Sequence, residues 1–231
     1  AWMLWRFLPM LEIRHLNASY GQAQVLFDVS FCVPSGSMAL VQGLNGAGKS
    51  TLLKSIMGLM SNVTGSIHWQ GHALDKLAPH ARSQIGLGYV PEDRRLFAAL
   101  TVRQNLEIAL PSRKQTSASL STQLQLQDVL TLFPSLGAML DRPASQMSGG
   151  EQQMLALGRT LMTQASMLLL DEPCEGIAPV LVQSIAQALE KLKKQGFTLL
   201  IAEQNQILSA MADQVLHIAS GHLTVHQQAQ R

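Results

Sequence analysis

The segment "GSMALVQGLNGAGKSTLLKSIMGLM", residues 36–60, decides the fold. Its apolar run from Met38 to Val41 reads as a short buried strand, and Leu53, Ile56, Met57 and Met60 then recur at the spacing of one helix face. Between strand and helix stands "GLNGAGKS", Gly43–Ser50, which fits G-x-x-x-x-G-K-S in the strand-to-helix context the motif requires. Gly43, Gly46 and Gly48 let backbone N–H groups approach phosphate oxygens, and the helix N-terminus adds a favourable dipole. Lys49 can reach the β and γ phosphates, the Ser50 hydroxyl suits Mg²⁺, and Asn45 and Thr51 are further candidate contacts. An ordinary glycine-rich turn with a surface lysine is the bland alternative.

The rest of the chain limits what surrounds this loop. A length of 231 residues suits a single α/β domain with a smaller inserted lobe. Hydrophobic residues are 47% and charged residues 14%, which excludes disorder and leaves apolar surface for a partner. A formal charge of +2, with basic residues in short separate groups, excludes a nucleic-acid stripe. Cys32 and Cys174 form neither a disulfide framework nor a metal-ligand spacing, which fits a reducing cytosol. The opening "AWMLWRFLPM" is far shorter than the ~20 residues of a membrane span and has no cleavage-site pattern. Residues 1–9 are expected to be an extension upstream of the natural start.

Alternating apolar and polar residues in "MLEIRHLNASYG", "QVLFDVSFCV" and "GSIHWQGHAL" predict an antiparallel β lobe. From about 93 to 160 the pattern turns helical, with Val102, Leu106 and Ala109, then Leu126, Val129, Leu130 and Phe133 before Pro134. The Ser, Thr and Gln run near 115–125 is expected to be a surface loop. "SMLLLDEP" and "FTLLIAEQ" read as buried parallel strands around a helix that buries Val182, Ile185, Leu189 and Leu192 and ends at Gly196. The expected fold is a single α/β domain. A P-loop NTPase core with an N-terminal antiparallel β subdomain (10–92 and 160–231) carries an inserted helical subdomain (93–159).

Two further segments carry chemistry. Asp171 and Glu172 follow a core strand at its C-terminal end, where ligands of open α/β sheets collect. Asp171 can hold a metal's hydration shell and Glu172 can polarise a water, although adjacent acids can also be a solvated strand end. In "MSGGEQQMLALGRTLM" Ser148, Gly149 and Gly150, followed by Glu151, are expected to precede a helix with an apolar stripe through Met154, Leu157 and Leu161. Such a start can hold an anion, and Ser148 can equally be a plain helix cap.

Phosphate loop, "MSGGEQ" and "MLLLDE", in this order and spacing, resemble the nucleotide-binding subunit of ABC transporters over nearly the whole chain. The resemblance implies that ATP with Mg²⁺ is bound and hydrolysed, with Ser50 and Asp171 at the metal and Glu172 as the base. It implies a second ATPase subunit packed head to tail, each signature (Ser148, Gly149, Gly150, Glu151) covering the γ-phosphate held by the other. By the same correspondence Tyr20 stacks on adenine. Three positions depart from the general pattern: "VPEDRRLF" puts Glu92 where Gln is usual, "CEGIAP" replaces the usual D-loop, and Gln204 stands in the switch-histidine slot.

Together "VPE.RR.F", "EG.AP" and "EQN" resemble the ATPase subunits of branched-chain amino acid importers, with urea or amide importers and soluble non-transport ABC ATPases as alternatives. That branch implies a place on the cytoplasmic face of a bacterial inner membrane, integral membrane permease subunits, a periplasmic substrate-binding protein reached indirectly, and no nucleic acid. The segment "EDRRLFAALT" is expected to expose Arg94 and Arg95 around Leu96, Phe97 and Leu100 as the permease groove.

Overall fold

The computed structural model describes residues 9–110 and 124–227, so most of the expected N-terminal extension and of the polar loop near 115–125 lies outside the described residues. Strands β1 (Pro9–Tyr20) and β2 (Ala23–Pro34) form a hairpin, and β3 (Met38–Gln42) leads through the phosphate loop into α1 (Lys49–Met57). Then come β4 (Asn62–Trp69), β5 (His72–Ala73), α2 (Pro79–Gln84) and β6 (Leu87–Val90). A helical stretch follows, with α3 (Val102–Glu107), α4 (Leu126–Leu132), α5 (Pro134–Gly137) and α6 (Gly149–Met162). The chain returns to the sheet through β7 (Met167–Asp171), α7 (Pro179–Lys194), β8 (Thr198–Ala202), α8 (Gln206–Met211), β9 (Gln214–Ala219) and β10 (His222–Gln227).

These strands make two sheets, one antiparallel in the order β2-β1-β4-β5 and one in the order β10-β9-β3-β8-β7-β6. In the second, β3, β8, β7, β6 and β9 run parallel and β10 closes one edge antiparallel. Every residue of β7 ("MLLLD") and β8 ("TLLIA") is buried, as expected of parallel strands covered on both faces. Helix α1 lies between the sheets, with Leu52, Leu53 and Ile56 fully buried beside Leu11, Ile13 and Val41. Burial of each such side chain contributes roughly 1.5–3 kcal/mol.

Helix α1 is shorter than its apolar spacing predicts. Gly58 adopts φ 77°, and the amides of Gly58 and Leu59 turn back to the carbonyls of Ser55 and Lys54, so Met60 lies beyond the helix. Arg82 of α2, itself buried, donates to the Ser55 and Ile56 carbonyls at 3.1 and 2.8 Å and so caps the same end. Its guanidinium lies against Gly58, where a Cβ would come within 2.8 Å. Likewise α3 stops at Glu107, leaving Ala109 off the helix, although Ala109 still packs on the core. Val129 and Phe133 share one apolar cluster with Leu168, Leu170 and Leu199 of the sheet, so the helical segment is anchored in the same core as the strands.

Candidate functional site

The C-terminal ends of β3, β7 and β8 converge on the phosphate loop. Gly46 and Gly48 take φ 80° and 112°, a region that favours glycine, and at Gly43 a Cβ would run into the Ile218 carbonyl. Lys49 is buried, with Nζ 2.8 Å from the Gly43 carbonyl, 3.0 Å from Glu172 Oε1 and 3.5 Å from Asn45 Oδ1. Thr51 is buried in the first turn of α1. Ser50 Oγ donates to Asp171 Oδ1 at 2.9 Å. A hydroxyl and a carboxylate at this spacing are hard oxygen donors, the set that suits Mg²⁺.

Asp171 is buried, and its second oxygen accepts the Tyr89 hydroxyl at 3.1 Å. Burial raises the Asp171 carboxyl, and the hydrogen bonds from Ser50 and Tyr89 oppose that rise. Tyr89 is pushed up by burial and then by the Asp171 charge, so the phenol stays protonated and donates. Glu172 takes φ 48°, unusual for a residue with a side chain, and its amide is held by the Ala202 carbonyl at 2.9 Å. Partial burial works to raise the Glu172 carboxyl, but hydrogen bonds with Glu175 and Lys49 outweigh it and hold the group below the usual carboxylate range. Glu175 moves the other way, up to about 7, through its hydrogen bond to Glu172 and then the charge of that residue, with Glu92 contributing. Of the two carboxyls, Glu175 is the one that binds a proton more readily and Glu172 the one that stays ionised.

Gln204 leaves the end of β8, and its Nε2 donates to the Gly43 carbonyl at 2.8 Å, which brings it to the mouth of the phosphate loop. Tyr20 is half exposed at the β1–β2 turn, and Glu92 is exposed on the loop after β6. The signature residues stand apart from this group. Ser148 caps α6 in a capping box, its amide donating to Glu151 Oε2 at 2.7 Å and its hydroxyl accepting from the Glu151 amide at 3.4 Å. That backbone hydrogen bond holds the Glu151 carboxyl below its ordinary value. Gly149 and Gly150 are the first residues of α6 rather than a loop before it. A Cβ on Gly150 would collide with Leu181 and sit 3.0 Å from Ile177, so close approach of α6 to α7 requires this glycine.

A groove of about 460 Å³ opens beside the site, lined by Met57, Leu59, Tyr89, Arg95, Phe97 and Arg159 among others. Arg159 lies over the Phe97 ring at 5.4 Å. Arg94, expected at this rim, instead turns inward to Gln153 and Gln152 of α6 at 3.2 and 3.3 Å. Leu96 packs partly buried on the core, and only Arg95 and Phe97 of the expected set reach the groove. Tyr89 was missed from the sequence because its partner Asp171 lies on the neighbouring strand, and Glu175 because only the turn after β7 folds it back onto Glu172.

A glycine loop between a core strand and a helix, with a Ser–Asp pair and a second acid at the adjacent strand end, defines a P-loop nucleoside triphosphatase. The chain belongs to the ABC transporter family, whose model matches residues 26–175. ATP hydrolysis is the chemistry of that family and of this fold. The chain is 39% identical over 219 residues, 94% of its length and 92% of the relative's, to the "High-affinity branched-chain amino acid transport ATP-binding protein BraG" of Pseudomonas aeruginosa. It is also 30% identical over 220 residues, 95% of its length and 90% of the relative's, to the "Lipopolysaccharide export system ATP-binding protein LptB" of Escherichia coli. Its fold matches a dimeric post-hydrolysis ATP-binding cassette bound to ADP and Pi, with TM-score 0.82 and 20% identity, covering 96% of this chain and 100% of that one. Among the described residues no helix is long and apolar enough to cross a membrane.

Proposed function

We propose that this chain is the ATP-hydrolysing subunit of an importer that energises uptake of branched-chain amino acids through a membrane permease. The observation that carries the cargo is the 39% identity to BraG, sustained over 94% of the chain, against 30% to LptB. Amides of the loop through Gly43, Asn45, Gly46 and Gly48 cradle the phosphates, with Lys49 and Thr51 adding contacts, and Tyr20 stacks on adenine. Ser50 and Asp171 hold Mg²⁺, which when bound neutralises phosphate charge. For Lys49 to reach phosphate it exchanges its Glu172 partner for the nucleotide, which leaves Glu172 ionised and free to accept a proton from water. Gln204 offers amide N–H donors to the γ-phosphate without needing to be protonated, and Glu92 occupies the loop between this site and the groove.

Ser148 and Glu151 bond to each other, Gly150 packs against α7 and Gly149 faces Arg94, none of them on the phosphate loop of their own chain, which supports a site completed by a second ATPase subunit. The groove around Arg95 and Phe97 receives a permease helix, placing the chain peripherally on the cytoplasmic face of the inner membrane, with the periplasmic binding protein reached only through that permease. The test is reconstitution with the integral membrane protein that co-purifies with the chain. Binding protein loaded with leucine, isoleucine or valine should stimulate ATP hydrolysis. Stimulation by urea or a short amide instead would overturn the cargo assignment and keep the importer.

A further inference from the structure

The strand ends carrying Glu172 and Gln204 are stitched together by a residue to which no role has so far been given. Glu203, the residue before Gln204, is buried, yet no ion pair of the described residues involves it. Its carboxylate is satisfied by backbone alone. Oε2 accepts the Cys174 amide at 2.9 Å, and Oε1 accepts the amides of Gln204 at 2.8 Å and Asn205 at 3.3 Å. Hydrogen bonds to an ionised acceptor are about twice as strong as neutral ones, which offsets the cost of burying the charge. The Glu203 amide itself donates to Val41 at 3.1 Å, so one residue joins the ends of β3 and β8 to the segment that follows Glu172.

We infer that Glu203 is a positioning residue for hydrolysis, its carboxylate clamping the Gln204 turn to the backbone two residues past Glu172 so that the two groups keep a fixed separation. The inference rests on the role proposed above for Gln204. A neutral amide cannot replace the clamp. A Gln side chain has one acceptor oxygen, and its NH₂ would face either the Cys174 amide or the Gln204 and Asn205 amides, donor against donor. One bridge would open while the side chain kept its size.

The test is a double-mutant cycle on the full chain, read as turnover and MgATP affinity in the complex in which it is purified. Glu203→Gln should lower kcat by about 10- to 100-fold, the cost of misplacing a reacting group, with MgATP affinity kept within about threefold. In a Gln204→Ala background the same change should cost less than about twofold, because the group being positioned is gone. Equal losses in both backgrounds, or parent turnover in Glu203→Gln while Gln204→Ala is impaired, would overturn the clamp. So would loss of ATP binding in Glu203→Gln, which would make the residue a determinant of folding. Parent turnover in Gln204→Ala alone would instead remove the role of Gln204 on which the inference stands.

Discussion

Glu172 is held in a left-handed backbone conformation, hydrogen-bonded to Glu175 and paired with Lys49 at 3.0 Å. Glu172→Gln removes the proposed base and loosens Lys49 from its partner. Turnover should fall by on the order of 10² or more, while MgATP binding, measured by nucleotide titration, should be no weaker than in the parent. Gln204→Ala should leave MgATP binding within a few-fold and cut turnover by about 10- to 10³-fold, whereas Gln204→His should keep measurable activity. Single-turnover hydrolysis checks both. Glu175 gives a signed pH dependence. Its pKa is raised from 4.5 to about 7 in the folded chain, which therefore keeps a proton that the unfolded chain has released. Stability from this group is full below 4.5 and is lost as the pH rises through about 7. Glu175→Gln keeps a donor without titrating, so its melting temperature should vary less across that window than the parent's.

At the scale of elements the two signature glycines separate by what a methyl group would meet. Gly150→Ala would press on the Leu181 and Ile177 side chains, which would have to shift where α6 meets α7. An overpacking cost of about 1–3 kcal/mol should lower the melting temperature by about 3–10 °C. In Gly149→Ala the methyl would meet only the Arg94 guanidinium at 3.4 Å, a flexible group, so the fold should hold and any loss should appear in turnover. The contiguous motifs were legible in the sequence because loop, helix start and strand end each carry their meaning locally. What was not legible crosses between elements. Tyr89 reaches Asp171 because β6 lies beside β7, and Glu203 reaches Cys174 because β8 lies on the other side. Arg94 turned from rim to interior because Gln152 and Gln153 of α6 stand under its loop. Met60 fell off its helix because the left-handed turn at Gly58 ends α1 before apolar spacing does.

For the whole molecule, the groove and the phosphate loop lie on either side of Tyr89, which lines the first and hydrogen-bonds the acid beside the second. On the docking proposed above, Arg95→Glu should weaken co-purification with the membrane partner by reversing a charge at the groove while leaving ATP affinity intact. Arg94→Glu should instead lower thermal stability, since its loop-to-α6 hydrogen bonds are lost. The capped end of α1 has a consequence for how defects in this protein present themselves. Gly58 is outside every motif and touches no phosphate, yet a side chain there would be strained at φ 77° and would dislodge Arg82 from the carbonyls it caps. Helix α1 is only nine residues long, so the turn that Gly58 and Arg82 hold closed and the turn that presents Lys49 and Ser50 belong to one short element. In a genetic screen, an allele at Gly58 would score as a nucleotide-binding mutant, and its cause would be sought in the wrong place.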